Sequence, residues 1–308
     1  MSQERRGYVF AVAAYLSWGF FPFYFKYLRP SGPAEILAQR VLWSFLFMVA
    51  VVSVARGWPS VWRLRHDRRR FGLALAAGAL IGVNWGVYIY GVNADRVVET
   101  SLGYFITPLV TVALGVAVLK ERLRRAQWAA LSIGLVAVIV LTLDYGHVPY
   151  IALTLTASFA LYGLVKKHLA VPATDGLLLE SAVLAPPALV YVAVLMANGE
   201  STFGHVSVGH TTLMVLAGAI TAIPLLMFAA AANRITLSTI GLLQYLAPIL
   251  QFGIGVLIFK EPMPPARLAG FALVWLALIV FTWDGIRYMH ARTRSNRPSA
   301  VPLKAPAA

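Results

Sequence analysis

The sequence predicts an all-α integral membrane protein with ten transmembrane helices in an inverted five-plus-five repeat, and three observations support this prediction. Of its 308 residues, 59% are apolar and 12% are charged, about half the charged share of a soluble domain. The apolar residues fall in long blocks, each close to the roughly 20 residues that a membrane-spanning helix needs. A set of polar, proline and glycine residues also recurs at a shift of 140 residues.

The apolar blocks define ten predicted spans. In chain order they are residues 7–27, 34–55, 72–93, 98–119, 126–143, 149–165, 177–197, 212–232, 236–259 and 266–286. Each must be helical, because the lipid interior offers no water to satisfy the backbone. A β-barrel would show alternating segments of about ten residues, and these blocks are longer and evenly apolar.

The distribution of basic residues predicts that both termini are cytoplasmic. Most of the 26 Lys and Arg residues lie before residue 7, in alternate loops such as 56–70 and 120–125, or in the tail. Loops of the opposite side hold few, among them Arg29 and Arg96. Cytoplasmic loops carry the excess of Lys and Arg, so we expect a multi-pass protein of the plasma (inner) membrane.

The repeat divides the chain into two five-helix halves, 1–145 and 146–286, followed by a basic tail, 287–308, that we expect to be disordered. The matched pairs are Asn93 with Asn233, Leu102 with Leu242, Pro108 with Pro248, Gly115 with Gly255, Lys120-Glu121 with Lys260-Glu261, Thr142 with Thr282, and Asp144 with Asp284. Because five is odd, the second half enters the membrane from the opposite side. Inverted repeats are typical of secondary transporters, whose solute site lies near mid-membrane between the halves.

Composition also excludes several classes of function. The net charge of +14 does not indicate a nucleic-acid partner, because the basic residues sit in short loops between apolar blocks. There is no cysteine, which excludes disulfides and Cys-ligated metals, and no phosphate-binding G-x-x-x-x-G-K-[ST] loop that would supply ATP drive. The acidic and His residues are scattered, so we expect no enzyme, no catalytic residue, no metal and no cofactor.

Several segments resemble the RarD-type permeases of the EamA family, in the drug/metabolite transporter superfamily. They include Ser-Trp-Gly-Phe-Phe-Pro-Phe-Tyr-Phe-Lys (17–26), Gln-Arg-Val-Leu-Trp-Ser (39–44), Asn-Trp-Gly-Val-Tyr-Ile (84–89), Glu-Thr-Ser-Leu-Gly-Tyr-Phe-Ile-Thr-Pro-Leu (99–109) and Gln-Tyr-Leu-Ala-Pro (244–248). The resemblance covers roughly residues 5–286 and implies ten helices, the inverted repeat and a plasma-membrane permease. The RarD name is tied to chloramphenicol sensitivity. Gln39 departs from the family pattern, where His is expected.

Polar, aromatic and proline residues near the middle of the spans are the candidate solute-binding residues, because polar groups at that depth are costly and often functional. They are Trp18, Arg40, Asn84, Trp85, Tyr88, Tyr104, Thr107, Pro108, Thr221, Gln244, Tyr245, Pro248 and Gln251. Pro108 and Pro248 are expected to bend spans 4 and 9 at equivalent points, since each removes one helical hydrogen bond.

Charged residues within the spans allow more than one interpretation. Arg40 is expected either to pair with Glu99, to meet an anionic group of the solute, or to extend to the outer surface. Glu180 is either a carboxylate that titrates during a coupled transport cycle or a solvated charge at a helix end.

The leading functional prediction is a secondary permease of a small organic solute, working by alternating access between the halves. An amino-acid-like metabolite and a drug such as chloramphenicol both remain open as substrates. The alternative is a lipid-handling or scaffold protein that transports nothing. The expected partners are a small-molecule substrate and the lipid bilayer, and the oligomeric state is left open.

Overall fold

The computed structural model describes residues 3–119, 123–169, 171–232, 234–235 and 243–295, and this part of the chain is helical with no strand. The first six helices are α1 (Gln3–Gly19), α2 (Phe21–Tyr27), α3 (Pro33–Val54), α4 (Trp58–His66), α5 (Arg68–Asn93) and α6 (Val97–Leu119). The others are α7 (Arg125–Tyr145), α8 (Tyr150–Leu169), α9 (Ala173–Ala197), α10 (Val208–Ala232), α11 (Leu246–Gly253), a π-helical turn (Ile254–Ile258) and α12 (Pro265–Ser295).

The protein is an all-α membrane protein. By length and composition, seven helical segments in the described part of the chain can cross a membrane: Gln3–Tyr27, Pro33–Val54, Arg68–Asn93, Arg125–Tyr145, Thr174–Ala197, Val208–Ala231 and Pro265–Gly285. Two shorter apolar segments are Tyr150–Lys166 and Leu246–Ile258. Predicted spans 4, 6 and 9 fall on α6, α8 and α11 with its π-helical turn, and the exact number of ten crossings stays a prediction.

Predicted span 1 is broken rather than continuous. Helix α1 ends at Gly19, and α2 begins at Phe21 with Pro22 in its first turn. A proline cannot donate to the carbonyl four residues before it, which here is the carbonyl of Trp18. This local chemistry explains why the helix is interrupted at this point.

The two prolines expected to bend equivalent spans behave differently. Pro108 lies inside the continuous helix α6. Pro248 lies in the first turn of α11, directly after a non-helical turn at Gln244 and Tyr245. Since the carbonyl that Pro248 leaves without its helical donor belongs to Gln244, span 9 is interrupted where the proline predicts.

Some of the sequence predictions fall on residues that the structure does not describe. They are the repeat residues Lys120, Glu121, Asn233 and Leu242, the beginning of span 9, and the tail beyond Ser295. Helix α12 runs on to Ser295, past the predicted end of span 10 at residue 286.

The helices pack mainly between the two predicted halves. Helix α7 lies along α12, α5 lies against α8 and α9, and α3 lies against α9 and α10. The pair α7 and α12 is joined at both ends, by Arg267 Nε to Asp144 Oδ2 at 2.8 Å and by Arg124 Nε to Asp284 Oδ2 at 2.7 Å. These two ends are named below the predicted outer face, which carries Asp144, and the predicted inner face, which carries Asp284.

Gly218 marks the closest approach of α10 to α3. A Cβ atom at Gly218 would lie 2.2 Å from the carbonyl oxygen of Trp43 and 2.5 Å from its carbonyl carbon. These are backbone atoms and cannot rotate away, so the glycine sets the distance between the two helices. Small residues at such positions let membrane helices pack closely.

We therefore expect Gly218→Ala to destabilise the protein by about 1–3 kcal/mol, the usual cost of overpacking, seen as a lower midpoint of thermal unfolding in detergent. The matched control is Gly163→Ala in α8, where a Cβ would meet no atom within 4 Å. An equal effect of both substitutions would contradict the close approach.

Candidate functional site

The centre of the bundle holds a cation surrounded by aromatic rings. Arg40 lies about 10 Å along α3 from Pro33 and is only 4% exposed. Its Cζ atom is 4.2 Å from the centre of the Trp85 ring, 5.5 Å from Phe25 and 5.6 Å from Phe21. Its Nε donates to Oγ1 of Thr221 on α10, at 2.8 Å. Arg40 therefore does not extend to the surface.

Two tyrosines continue this group on the side of α5 and α6. The ring of Tyr88 lies 5.9 Å from Phe25 and 5.8 Å from Tyr104. The hydroxyl of Tyr88 is buried and has no hydrogen-bond partner in the part of the chain that the structure describes. We name Arg40, Thr221, Trp85, Tyr88, Tyr104, Phe21 and Phe25 the central cluster.

Asn84 ties three helices together beside this cluster. Its Nδ2 donates to the carbonyl of Leu155 and to Oγ of Ser158, both at 3.0 Å, and its Oδ1 accepts from the hydroxyl of Tyr104 at 3.2 Å. These bonds join α5, α6 and α8. Both N–H donors of the Asn84 amide are therefore used within the protein, and its Oδ1 positions the hydroxyl of Tyr104.

The two broken spans meet at Trp18 and Gln251. The Trp18 carbonyl, which Pro22 leaves without its helical donor, accepts from Nε2 of Gln251 on α11 at 3.0 Å. Leu250 packs over Gly19, where a Cβ would lie 2.6 Å from its side chain. The Oε1 of Gln251 is buried and accepts from none of the described residues. Discontinuous helices at the interface of two repeats are a recurring feature of transporter binding sites.

Two further predicted site residues have partners outside the central cluster. Thr107 donates to the Gly103 carbonyl of its own helix at 2.8 Å. Tyr245 has Thr282 and Gln244 as hydrogen-bond partners and packs in the core formed with α6, α7 and α12.

The predicted pair of Arg40 and Glu99 is not formed. Glu99 makes an ion pair with Arg96, one helical turn before it, and accepts from the backbone N–H of Ile151 at 3.1 Å. This carboxylate therefore links α6 to α8 at the predicted outer face. Gln39, the departure from the family pattern, accepts from Nε1 of Trp43 at 3.1 Å.

The interpretation of Glu180 as a solvated helix-end charge is wrong. Its side chain is 1% exposed and accepts from Nζ of Lys166 at 2.7 Å and from the hydroxyl of Tyr162 at 3.0 Å. All three residues lie on α8 and α9. Burial of a carboxylate is costly unless it is paired, and Lys166 provides that partner.

A buried carboxylate joins the two predicted halves at each face. At the predicted outer face, Glu35 of α3 accepts from the backbone N–H of Thr202 at 2.9 Å and of Phe203 at 3.3 Å, and from the hydroxyls of Ser201 and Thr202. Ser31 also contacts Thr202 there. We name these residues the outer contact.

At the predicted inner face, Asp175 of α9 accepts from the hydroxyl of Ser60 in α4; this pair is the inner contact. Glu35 and Asp175 are 3% and 4% exposed. They are separated by the 140 residues of the repeat, so each lies in the first turn of an equivalent helix. Each accepts hydrogen bonding from a segment that connects two spans of the opposite half.

A smaller polar group stands at the predicted outer face. Asp95 pairs with both Lys26 and Arg29. Partial burial of Asp95 opposes its ionised form, but the hydrogen bonds from Lys26 and Arg29 outweigh this and lower the pKa of the carboxyl below its usual value. These three residues join the end of α2 to the turn between α5 and α6.

Sequence reasoning missed Phe21, Phe25, Glu35 and Asp175. The two phenylalanines had no distinguishing pattern among the many aromatic residues of span 1. The two acids did show a distinguishing pattern, since Glu35 and Asp175 are separated by the same 140 residues as the other repeated residues.

The apolar helices define an integral membrane protein, and broken spans and buried ionisable residues are features that membrane transporters share. A sequence profile of the EamA-like transporter family matches residues 5–143. The protein RarD of Streptomyces exfoliatus is 49% identical over 301 residues, covering 98% of this chain and 95% of its own. An uncharacterized transporter of Vibrio cholerae is 38% identical over 292 residues, covering 95% and 97%.

One solved crystal structure superposes with a TM-score of 0.58 at 20% identity, covering 91% of this chain and 98% of the other, which shows a shared fold. The chain belongs to the EamA-like transporter family, among the RarD proteins, and is a membrane transporter of the drug/metabolite superfamily.

Proposed function

We propose that the chain is a secondary permease that moves a small organic solute by alternating access between residues 1–145 and residues 146–286. An amino-acid-like metabolite or a drug such as chloramphenicol is the candidate solute. Both termini are cytoplasmic and the membrane is the plasma (inner) membrane. The transport cycle requires the solute, the lipid bilayer and a proton or solute gradient. Neither nucleic acid nor a cofactor takes part in it.

The single observation that carries the proposal is the reciprocity of the contacts at the two faces. Glu35 of the first half holds the α9–α10 loop of the second, and Asp175 of the second half holds Ser60 of the first. Asp144 and Asp284 make the same exchange through Arg267 and Arg124. Each face therefore has its own set of polar contacts between halves, which can separate while the other set stays closed.

The central cluster supports the location of the solute site between the faces. Its side chains come from α2, α3, α5 and α6 on one side and from α10 on the other, so both predicted halves contribute. The Tyr88 hydroxyl and the Gln251 Oε1 supply hydrogen-bonding groups that no other described residue uses. A solute held there would contact both halves.

A second candidate function is lipid handling without transport. An apolar groove of about 540 Å³ lies between α3, α5 and α9. Its lining includes Leu37, Val41, Leu184 and Tyr191, which suits an acyl chain.

Counterflow in proteoliposomes tests the proposal and separates the two functions. Vesicles loaded with an unlabelled solute should take up the same labelled solute faster than empty vesicles, because a carrier exchanges bound solute across the membrane. The panel comprises amino acids, aromatic acids and chloramphenicol, with protein-free vesicles as the control. Absence of counterflow for the whole panel, with co-purified phospholipid at a fixed ratio, would favour lipid handling.

A further inference from the structure

Arg40 is a buried cation without a carboxylate partner in the described part of the chain. Of its nitrogen atoms, Nε has a protein acceptor, the hydroxyl of Thr221; the two Nη nitrogens donate to no described residue. Its other neighbours are the faces of Trp85, Phe25 and Phe21. Taking a charge out of water costs several kcal/mol unless an opposite charge compensates it.

The buried acidic side chains that the structure describes are all engaged elsewhere. Glu35 is in the outer contact, Asp175 in the inner contact, Glu99 is paired with Arg96, and Glu180 with Lys166. No described carboxylate therefore neutralises Arg40. A neutral side chain would fill the same aromatic surroundings at lower cost, so the positive charge of Arg40 has no purpose that the described carboxylates explain.

A buried hydroxyl belongs to the same cluster as this cation. Tyr88 is 3% exposed, and its hydroxyl has no hydrogen-bond partner among the described residues. The ring of Tyr88 contacts Phe25, whose ring also faces the guanidinium of Arg40. Leaving such a group unsatisfied is costly, and a ligand that accepts its hydrogen bond would recover that cost.

We propose that Arg40 and Tyr88 form an anion subsite and that the solute is a monocarboxylate with an aromatic or apolar body. This inference rests on the proposed transport function and names its substrate class. A guanidinium offers two parallel N–H donors that match a carboxylate, and the Tyr88 hydroxyl adds a third donor. The rings of Trp85, Phe21 and Phe25 provide the apolar surroundings for the body.

The charge balance selects a monoanion over a zwitterion or a dianion. One guanidinium compensates one negative charge, and the surrounding aromatic rings carry no positive charge that could compensate a second. An α-ammonium group would need a carboxylate partner, and the described buried carboxylates have other partners. This substrate class therefore narrows the candidates of the proposed function: amino acids and neutral chloramphenicol, like inorganic phosphate, should bind more weakly than a matched carboxylate.

Thermal unfolding of the purified protein in detergent tests the subsite with named probes. Benzoate and phenylacetate should raise the melting temperature in a dose-dependent way, because a ligand of the folded state stabilises it. The matched amides, benzamide and phenylacetamide, should bind at least about tenfold more weakly, as should phenylalanine. Arg40→Gln should abolish the preference for the carboxylate, and Arg40→Lys should retain part of it.

Tyr88→Phe keeps the test decisive even where the arginine variant fails to fold. Because the hydroxyl has no partner among the residues with described positions, its removal should leave the melting temperature of the unliganded protein unchanged or higher, and should weaken carboxylate binding several-fold. Tyr27→Phe, at a 73% exposed position, is the matched control and should change neither value.

Three results overturn the subsite: no response of the unaltered protein to either carboxylate, equal responses to carboxylate and amide, or full carboxylate affinity in Tyr88→Phe. Counterflow of a neutral solute together with any of these results would leave the transport function standing and reject the substrate class alone. Absence of counterflow with selective carboxylate binding would reject transport and retain the anion subsite.

Discussion

Oxidation of the double variant Ser31→Cys/Thr202→Cys should stop solute flux almost completely, and reduction should restore it. The side-chain oxygens of Ser31 and Thr202 are in direct contact, so the substituted sulfur atoms lie within reach of each other. A disulfide needs Cβ atoms about 3.5–4.5 Å apart, which this contact permits. The bond would hold the outer contact closed.

The reason for the expected loss is mechanical. In alternating access the solute site must open to each side in turn, so a covalent bond between the halves at one face removes one of the two states. The measurement is counterflow in proteoliposomes before and after a thiol reductant. Because the chain has no cysteine of its own, the introduced pair is the only thiol chemistry present.

The controls separate locking from damage. Each single variant, treated with the same oxidant, should keep its flux, since one cysteine cannot bridge the halves within a monomer. The variant Ser60→Cys/Asp175→Cys places the same test at the inner contact and should also lose flux on oxidation. Full flux in a protein whose crosslink is verified by mass spectrometry would show that the outer contact does not open during transport.

The second large effect concerns the buried ion pair of α8 and α9. Lys166→Met should destabilise the protein by about 3 kcal/mol, because it leaves Glu180 buried and uncompensated. Glu180→Gln should cost clearly less. Its partner Lys166 is 24% exposed whereas Glu180 is 1% exposed, so the lysine can regain water after the pair is broken and the glutamate cannot.

The midpoint of thermal unfolding in detergent provides the measurement, and the double variant provides the control. Lys166→Met combined with Glu180→Gln should recover part of the loss, because no uncompensated charge is left in the interior. If the two single substitutions had equal effects, or if the double variant lost the sum of both, the pair would not act as a compensated buried charge. The asymmetry is therefore the decisive observation.

How far the central cluster was predictable differs from residue to residue. Arg40, Trp85, Tyr88, Tyr104 and Thr221 were candidates from their depth in the spans and lie together in the structure. Phe21 and Phe25 were not candidates, because aromatic residues abound in span 1 and nothing in their spacing separates them from lipid-facing neighbours. Asn84 was expected to bind the solute, and the structure shows it hydrogen-bonded to Leu155, Ser158 and Tyr104.

The class of fold follows from the sequence alone. Long apolar blocks can only be helices in lipid, and Pro22 and Pro248 determine where spans 1 and 9 are interrupted, since each removes a specific hydrogen bond. The resemblance to the RarD permeases rested on segments spread along the chain, and the relatives bear it out. Both results depend on local chain chemistry or on order along the sequence.

Which polar groups form hydrogen bonds or ion pairs depends on the tertiary structure. The spans are apolar on nearly every side, so their periodicity does not tell which face of each helix points inward. Glu99 therefore forms its ion pair with Arg96 rather than with Arg40, and the Trp18 carbonyl accepts a hydrogen bond from Gln251. These partners depend on the rotation and depth of each helix, which are set by close contacts such as Gly218 against Trp43.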